Sequence, residues 1–148
     1  NKIWAFLTDF SMSLNYNRFH TNLELPSSYS VGKMKKFNIN HNFGFGNYNM
    51  VAEITECIPP NRLCISEYCK GEKEKGFPHS IEFYIEPNRD KSKIFYTVTG
   101  TYGGRVQDLS FKPILKGVMI EELIKIKNAI ESSEKASKPI VTETVKPI

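Results

Sequence analysis

The sequence has few cysteines and no long run of apolar residues. Cys57, Cys64 and Cys69 are the only three cysteines in 148 residues, and no apolar stretch approaches the ~20 residues that a membrane-spanning helix needs. Residues near the start of the sequence lack the pattern of a secretory signal peptide. We therefore expect a cytoplasmic protein without stable membrane insertion and with reduced cysteines. Cys57 and Cys64 flank the Pro59-Pro60 turn, and free thiols are favoured over a disulfide between them.

Sequence signatures of common catalytic and cofactor sites are also missing. The Gly-x-Gly segment at residues 44–46 lacks the third glycine and the following helix of a dinucleotide-binding motif. A Gly-x-Ser-x-Gly nucleophile motif does not occur. His20, His41 and His79 do not show zinc-ligand spacing with one another or with the cysteines. On these grounds we predict no cofactor and no metal site.

Positive and negative residues are mixed along the whole chain. The formal net charge is +4, but Lys and Arg alternate with Glu along most of the sequence and form no basic stripe. We therefore expect no nucleic-acid partner. Hydrophobic residues make up 40% of the sequence, which is the composition of a globular protein rather than of a disordered chain. The length of 148 residues predicts a single domain.

Apolar and polar residues alternate through the middle of the chain, which predicts half-buried strands. Residues with turn-forming tendencies separate these runs, and such short connections favour an antiparallel meander. The alternating runs are Phe37 to Phe45, Met50 to Ile54, Leu63 to Ile65, Ile81 to Ile85 and Ile94 to Val98.

Helical periodicity occurs on both sides of these strands. The spacing of apolar residues predicts a short amphipathic helix over residues 1–10 and a second short helix over residues 12–19. Residues 110–131 predict a long helix with Ser110 as its N-cap and Pro113 in its first turn. The sequence therefore predicts an α+β fold of two short helices, five or six antiparallel strands and one long helix.

Three segments share their order and spacing with one known family. Residues 4–10 (WAFLTDF) resemble its first helix, residues 54–63 (ITECIPPNRL) resemble a strand, a double-proline turn and the next strand, and residues 122–131 (ELIKIKNAIE) resemble the end of its closing helix. That family is the START-like (SRPBCC, helix-grip) superfamily, which includes polyketide cyclase/dehydrase-like and coenzyme Q-binding-like proteins. The resemblance covers about residues 1–131. It implies a helix-grip fold, in which a curved antiparallel sheet of six to seven strands wraps around the long helix.

The start of the chain departs from this resemblance, because the family begins with a strand and this sequence begins with a helix. Residues 139–148 are rich in β-branched residues at alternating positions. When the end of the sequence is joined to its start, residues 139–148 followed by residues 1–10 resemble the family's first strand and helix. We therefore expect residues 1–131 to form a START-like ligand-binding domain, residues 132–138 a connector, and residues 139–148 the missing strand. That strand would complete the sheet of its own subunit or, by exchange, of a homodimer partner. A circular permutation and a segment cut from tandem domains both explain the order, and a disordered tail is the alternative.

The resemblance implies a site in an apolar cavity between the sheet and the long helix. It further implies that the chain binds a hydrophobic small molecule there, such as a lipid, a quinone or a polyketide-like compound. The same residues would equally form an ordinary core. The predicted wall consists of Phe37, Ile39, Phe43, Ile65, Ile81, Phe83, Ile85 and Val98 on the strands and of Leu115, Met119 and Leu123 on the helix.

Three polar residues fall on the predicted inner face of the sheet by alternation: His41, Glu67 and Tyr96. A histidine in a cavity can orient a carbonyl group or act as an acid or base, and a buried carboxylate needs a partner. The three residues are therefore candidates for catalysis in a cyclase/dehydrase-type enzyme, with a purely structural role as the alternative. A third hypothesis is a permuted or strand-swapped scaffold whose cavity is incidental.

Overall fold

The structure, a computed structural model, describes residues 2–136. It confirms the α+β fold, with two short helices first, a six-stranded sheet next and one long helix last. In chain order the elements are α1 (Lys2–Thr8), α2 (Phe10–Ser13), a 3-10 helix (Leu14–Tyr16), β1 (His20–Glu24), β2 (Lys36–Asn42), β3 (Asn47–Ile58), β4 (Arg62–Cys69), β5 (His79–Asn88), β6 (Lys91–Gly100) and α3 (Arg105–Ala136).

The six strands form one curved antiparallel sheet in the order β1-β2-β3-β4-β5-β6, so each strand pairs with its neighbour in sequence. The tight β2–β3 connection includes Gly44 at φ +91°, a left-handed conformation that L side chains rarely adopt. β3 is the longest strand, and its pairing with β4 shifts register between Ile54 and Glu56. The predicted meander is therefore confirmed.

The alternating residues of the strands form the core on the face of the sheet that α3 covers. Ile39 and Ile65 are fully buried, and Ile81, Phe83 and Ile85 on β5 are nearly so. The short N-terminal helices close one side of this core with Leu7, Phe10 and Leu14, and the Phe10 ring stacks on Phe37 at 5.1 Å between centroids. The backbone of α3 lies nearer to α1 and the 3-10 helix than to the strands, and α3 contributes Phe111, Val118, Ile126 and Ile130 to the core.

The prediction for the start of the long helix was wrong. The helix begins at Arg105 rather than after Ser110, and the Ser110 hydroxyl donates a hydrogen bond to the Val106 carbonyl inside the helix. Pro113 consequently lies within the helix and not in its first turn. The Asp108 carboxylate ties the preceding loop to the helix, because it accepts hydrogen bonds from the Thr101 hydroxyl and from the backbone N–H of Tyr102.

The second predicted helix was also wrong in its extent. Helical structure ends at Tyr16, and His20–Glu24 forms β1 instead. At the other end α3 continues to Ala136, into the segment predicted as a connector, whereas the predicted strand at residues 139–148 lies outside the described residues.

The three cysteines are free thiols, as the sequence favoured. Cys57 pairs in register with Leu63, and Cys64 pairs with Glu56, so the two cysteines are not cross-strand partners. Within residues 2–136, none of the helices is both long enough and apolar enough to cross a membrane.

Candidate functional site

A buried carboxylate on β4 is surrounded by histidines from three other strands. Glu67 is 0% exposed and His41 1% exposed. Oε2 of Glu67 lies 2.9 Å from Nε2 of His41 and 3.2 Å from Nε2 of His79. The ring of His20 packs edge-on against that of His41 at 4.5 Å between centroids. We call these four residues the histidine cluster.

Strand pairing brings the histidine cluster together. His20 on β1 pairs with His41 on β2, and Glu67 on β4 pairs with His79 on β5. The residue paired with Glu67 on the intervening strand β3 is Ala52, which adds only a methyl group to this face. All four polar side chains therefore project from one face of the sheet into the core.

Short contacts in the histidine cluster do not amount to well-aligned hydrogen bonds. Both ring nitrogens of His41 and both carboxylate oxygens of Glu67 are buried without a hydrogen-bond partner, although Nε2 of His41 and Oε2 of Glu67 lie 2.9 Å apart. Buried polar atoms are nearly always hydrogen-bonded, and each exception calls for an explanation.

Backbone carbonyls fix the tautomers of the other two rings. Nδ1 of His20 lies 2.6 Å from the Leu14 carbonyl oxygen, and Nδ1 of His79 lies 2.7 Å from that of Phe77. A carbonyl oxygen only accepts, so Nδ1 carries the proton in both rings. In the neutral rings, the lone pair is then on Nε2.

Mutual interactions set the charge of the histidine cluster. Burial alone would raise the pKa of Glu67, but the His41 and His79 rings outweigh burial and hold the pKa of Glu67 well below its usual value. Burial would lower the pKa of His79, but the Glu67 carboxylate raises it above its usual value. Burial and the neighbouring His41 lower the pKa of His20 to about 4, so His20 is neutral at pH 7.

A second buried carboxylate, Glu122 on α3, has different partners. Its Oε2 accepts a hydrogen bond from the Asn17 amide at 3.0 Å and one from the Tyr96 hydroxyl at 2.9 Å. Burial raises the pKa of Glu122 to about 7, against the opposing effect of those two hydrogen bonds. Because Oε2 already accepts two hydrogen bonds, a protonated Glu122 carries its proton on Oε1 and can donate it to a further acceptor. We call Glu122, Tyr96 and Asn17 the acid–tyrosine centre.

The acid–tyrosine centre borders the less tightly covered part of the inner face. The Tyr96–Glu122 hydrogen bond shows that the inward row of β6 faces α3. Apolar residues on both elements are half-buried there, in contrast to the fully buried residues of β4 and β5. They are Ile94 and Val98 on β6 and Leu115, Met119 and Leu123 on α3. We call this set the β6–α3 face.

A depression on the surface lies elsewhere. It has a volume of about 650 Å³, is open to solvent and is lined by residues of the β6–α3 loop and the first turns of α3, such as Thr101 and Lys112. Neither buried carboxylate is among its lining residues, so it is not our candidate site.

The three polar residues that alternation predicted to lie together have different partners in the structure, although the charge of Glu67 acts on Tyr96 and Glu122. His41 and Glu67 are in contact, whereas Tyr96 binds Glu122 instead. The predicted wall residues also fall into two groups. Val98, Leu115, Met119 and Leu123 belong to the half-buried β6–α3 face, and Phe37, Ile39, Phe43, Ile65, Ile81, Phe83 and Ile85 are buried in the core.

Four residues of the two sites were missed from sequence: Asn17, His20, His79 and Glu122. The periodicity of neighbouring apolar residues indicates a buried position for two of them. His79 alternates in phase with Ile81, and Glu122 lies four residues from both Val118 and Ile126 on the buried stripe of α3. For Asn17 and His20 there was no such signal, because Asn17 lies in the segment predicted as helix and β1, which begins at His20, has a single apolar residue.

Comparisons with known proteins give a fold and no family. No family model matches the chain, and no curated protein sequence matches it. Among solved structures, the chain is similar to a conserved protein from Geobacillus kaustophilus (TM-score 0.67, 19% identity, covering 89% of this chain and 88% of that one). It is also similar to a protein from Thermus thermophilus (TM-score 0.59, 12% identity, covering 93% of this chain and 90% of that one). At these identities the likeness establishes a shared fold, a six-stranded antiparallel sheet with a long helix, compatible with a helix-grip fold.

Proposed function

We propose that this protein is a START-like binding module that holds a hydrophobic small molecule between β6 and α3. The ligand would be an apolar molecule with one uncharged oxygen, as in a lipid alcohol, a quinone or a polyketide-like ketone. The observation that carries the proposal is the half-buried β6–α3 face directly beside the acid–tyrosine centre.

Apolar contact would supply most of the affinity. Burying apolar surface contributes about 25 cal/mol per Å², and the β6–α3 face presents five apolar side chains that the fold leaves partly uncovered. Small-molecule sites are typically apolar surfaces with a few placed polar groups, and this face has that composition.

The acid–tyrosine centre would orient the polar end of the ligand. A protonated Glu122 donates from Oε1 to a carbonyl or hydroxyl oxygen, while Asn17 and Tyr96 hold the carboxyl group through Oε2. Burial also raises the pKa of Tyr96 well above its usual value, so its hydroxyl stays protonated. A site of neutral donors favours an uncharged oxygen over a ligand carboxylate.

A titration with Nile red, a neutral apolar fluorophore that carries a carbonyl oxygen, tests this function. We expect saturable 1:1 binding to the wild type and binding weakened at least ~10-fold in Met119→Glu, since the new carboxylate would have to be desolvated in the site. Ile120→Glu is the matched control, because Ile120 is the next residue of α3 and is half-exposed. Equal binding by the two variants would contradict a site on the β6–α3 face.

A further inference from the structure

We propose that His20, His41 and Glu67 form a binding site for one late first-row divalent metal ion, with zinc as the first ion to test. One ligand atom from each of the three residues lies within 4.8 Å of the other two. None of the three belongs to the β6–α3 face, so this proposal does not depend on the proposed apolar ligand.

Unsatisfied atoms at the centre of the cluster provide the first argument. Within residues 2–136, His41 and Glu67 together bury four polar atoms that make no well-aligned hydrogen bond, although Nε2 of His41 and Oε2 of Glu67 lie 2.9 Å apart. A buried, unpaired polar group typically costs about 1–3 kcal/mol, and more if it is charged. A single cation would be bound by one ring nitrogen of His41 and by a carboxylate oxygen of Glu67, so it would satisfy at least two of these four atoms.

The orientation of the imidazole rings provides the second argument. Histidines that bind metals usually donate their other ring N–H to a carbonyl or a carboxylate, which fixes the tautomer. The His20 Nδ1–H donates in this way to the Leu14 carbonyl, so its Nε2 lone pair is available to a metal ion. His20 is also the least buried of the three ligand residues.

The ligand set selects the class of metal. Two imidazoles and one carboxylate are donors for zinc and its neighbours rather than for calcium or magnesium, which prefer oxygen ligands. In tetrahedral zinc sites, bonds of about 2.0–2.1 Å place ligand atoms about 3.3 Å apart. Nε2 of His41 and Oε2 of Glu67 lie 2.9 Å apart, close to that spacing, and all three ligand atoms lie within 4.8 Å of one another. Three protein ligands also leave a fourth position for water or another molecule.

His79 is a positioning residue in this arrangement. Its Nδ1–H is held by the Phe77 carbonyl, and its Nε2 lies 3.2 Å from Glu67 Oε2. A protonated His79 would hold the Glu67 carboxylate in place. In the competing arrangement no metal ion binds, and a protonated His79 alone balances the charge of the Glu67 carboxylate.

Cobalt(II) absorption spectroscopy on the purified protein, after treatment with a chelator, separates the two arrangements. We expect about one equivalent of Co²⁺ to bind, with the strong visible absorption of a four- or five-coordinate ion, and Zn²⁺ to displace it. We also expect no near-ultraviolet charge-transfer band, because that band would place the ion on a cysteine thiolate. An unchanged spectrum of hydrated Co²⁺, or the thiolate band, would overturn the proposal without any variant.

Two variants and a control then assign the ligands. Glu67→Gln and His20→Gln should each weaken Co²⁺ binding at least ~100-fold. Loss of a residue that only hydrogen-bonds a metal ligand typically weakens affinity about 10–100-fold, and loss of the ligand itself should weaken it more. Glu82→Gln is the control, because Glu82 is a strand glutamate that pairs with Arg62 at 3.0 Å and is not in the ligand set. His20→Gln alters a partly buried residue and so guards against a variant that fails to fold. Wild-type affinity in both folded variants would overturn the assignment.

Discussion

At the scale of single residues, the two buried glutamates differ in the charge of their partners. Glu67 lies among three imidazoles, whereas the hydrogen-bond donors to Glu122 within residues 2–136 are the neutral Asn17 and Tyr96. A neutral donor stabilises a carboxylate less than a cation does, so burial prevails at Glu122 and raises its pKa to about 7. The same type of residue is therefore ionised at one position and ready to hold a proton at the other.

The raised pKa of Glu122 predicts a pH-dependent penalty to stability. Its ordinary pKa is 4.5, so between pH 4.5 and 7 the unfolded chain releases a proton that the folded protein retains, and this contribution to stability falls as pH rises. Glu122→Gln keeps the shape and removes the titration. We expect the variant to be more stable than the wild type by about 2–3 kcal/mol at pH 8 and similar to it near pH 4. Chemical denaturation at both pH values measures this.

The exposed Glu131→Gln serves as the control for that experiment, because its carboxylate lies at the surface of the same helix. A Glu122→Gln variant that is less stable than the wild type at pH 8 would show that the ionised carboxylate stabilises the fold, contrary to our account.

Residue-scale features were only partly predictable from the sequence. Alternation placed His41 and Glu67 on the inner face correctly, and the same reasoning applied to His79 would have added it. Ligand spacing along the chain does not reveal the histidine cluster, because its residues come from four strands and are brought together by strand register.

At the scale of elements, prediction succeeded where the periodicity was long and failed where it was short. The strands β2 to β6 have several alternating apolar positions each, whereas β1 (His20–Glu24) has one apolar residue in five. The start of α3 was misplaced for another reason. Helices rarely carry proline beyond the first turn, so Pro113 suggested a helix start near residue 110, yet the helix extends eight residues before it.

Pro113 should therefore destabilise α3. It removes the hydrogen bond to the Leu109 carbonyl and its ring crowds the preceding turn, at a typical cost of about 3 kcal/mol. Pro113→Ala restores the N–H at an exposed position, and loss of the rigid ring from the unfolded chain offsets part of the gain. We expect the free energy of unfolding to rise by about 1–2 kcal/mol. Thermal and urea denaturation provide the measurement.

Lys112→Ala is the matched control in the same turn, and its effect should be within about 0.5 kcal/mol. A Pro113→Ala protein with unchanged or lower stability would mean that the proline is already accommodated, for example by a helix bend that the core requires.

At the scale of the whole molecule, the fold was largely predictable because it is a meander. Each strand pairs with the next, so alternation and turns define the topology without long-range information. The distribution of space inside the fold was not predictable. The sequence assigned one continuous cavity wall, whereas the residues on β2, β4 and β5 are packed into the core and only the β6–α3 face is half-buried. That difference arises from how α3 lies over the sheet, which no single segment encodes.

Methionine methyl NMR tests the central claim, ligand binding at the β6–α3 face, most directly. The chain has four methionines. Met119 lies on this face, while Met50 is buried in the sheet and Met12 is half-exposed on α2. With the methyl groups labelled with ¹³C, a Nile red titration should shift the Met119 signal saturably and leave the Met12 signal in place. Saturable binding that leaves Met119 unshifted, or that shifts Met12 alone, would contradict the account.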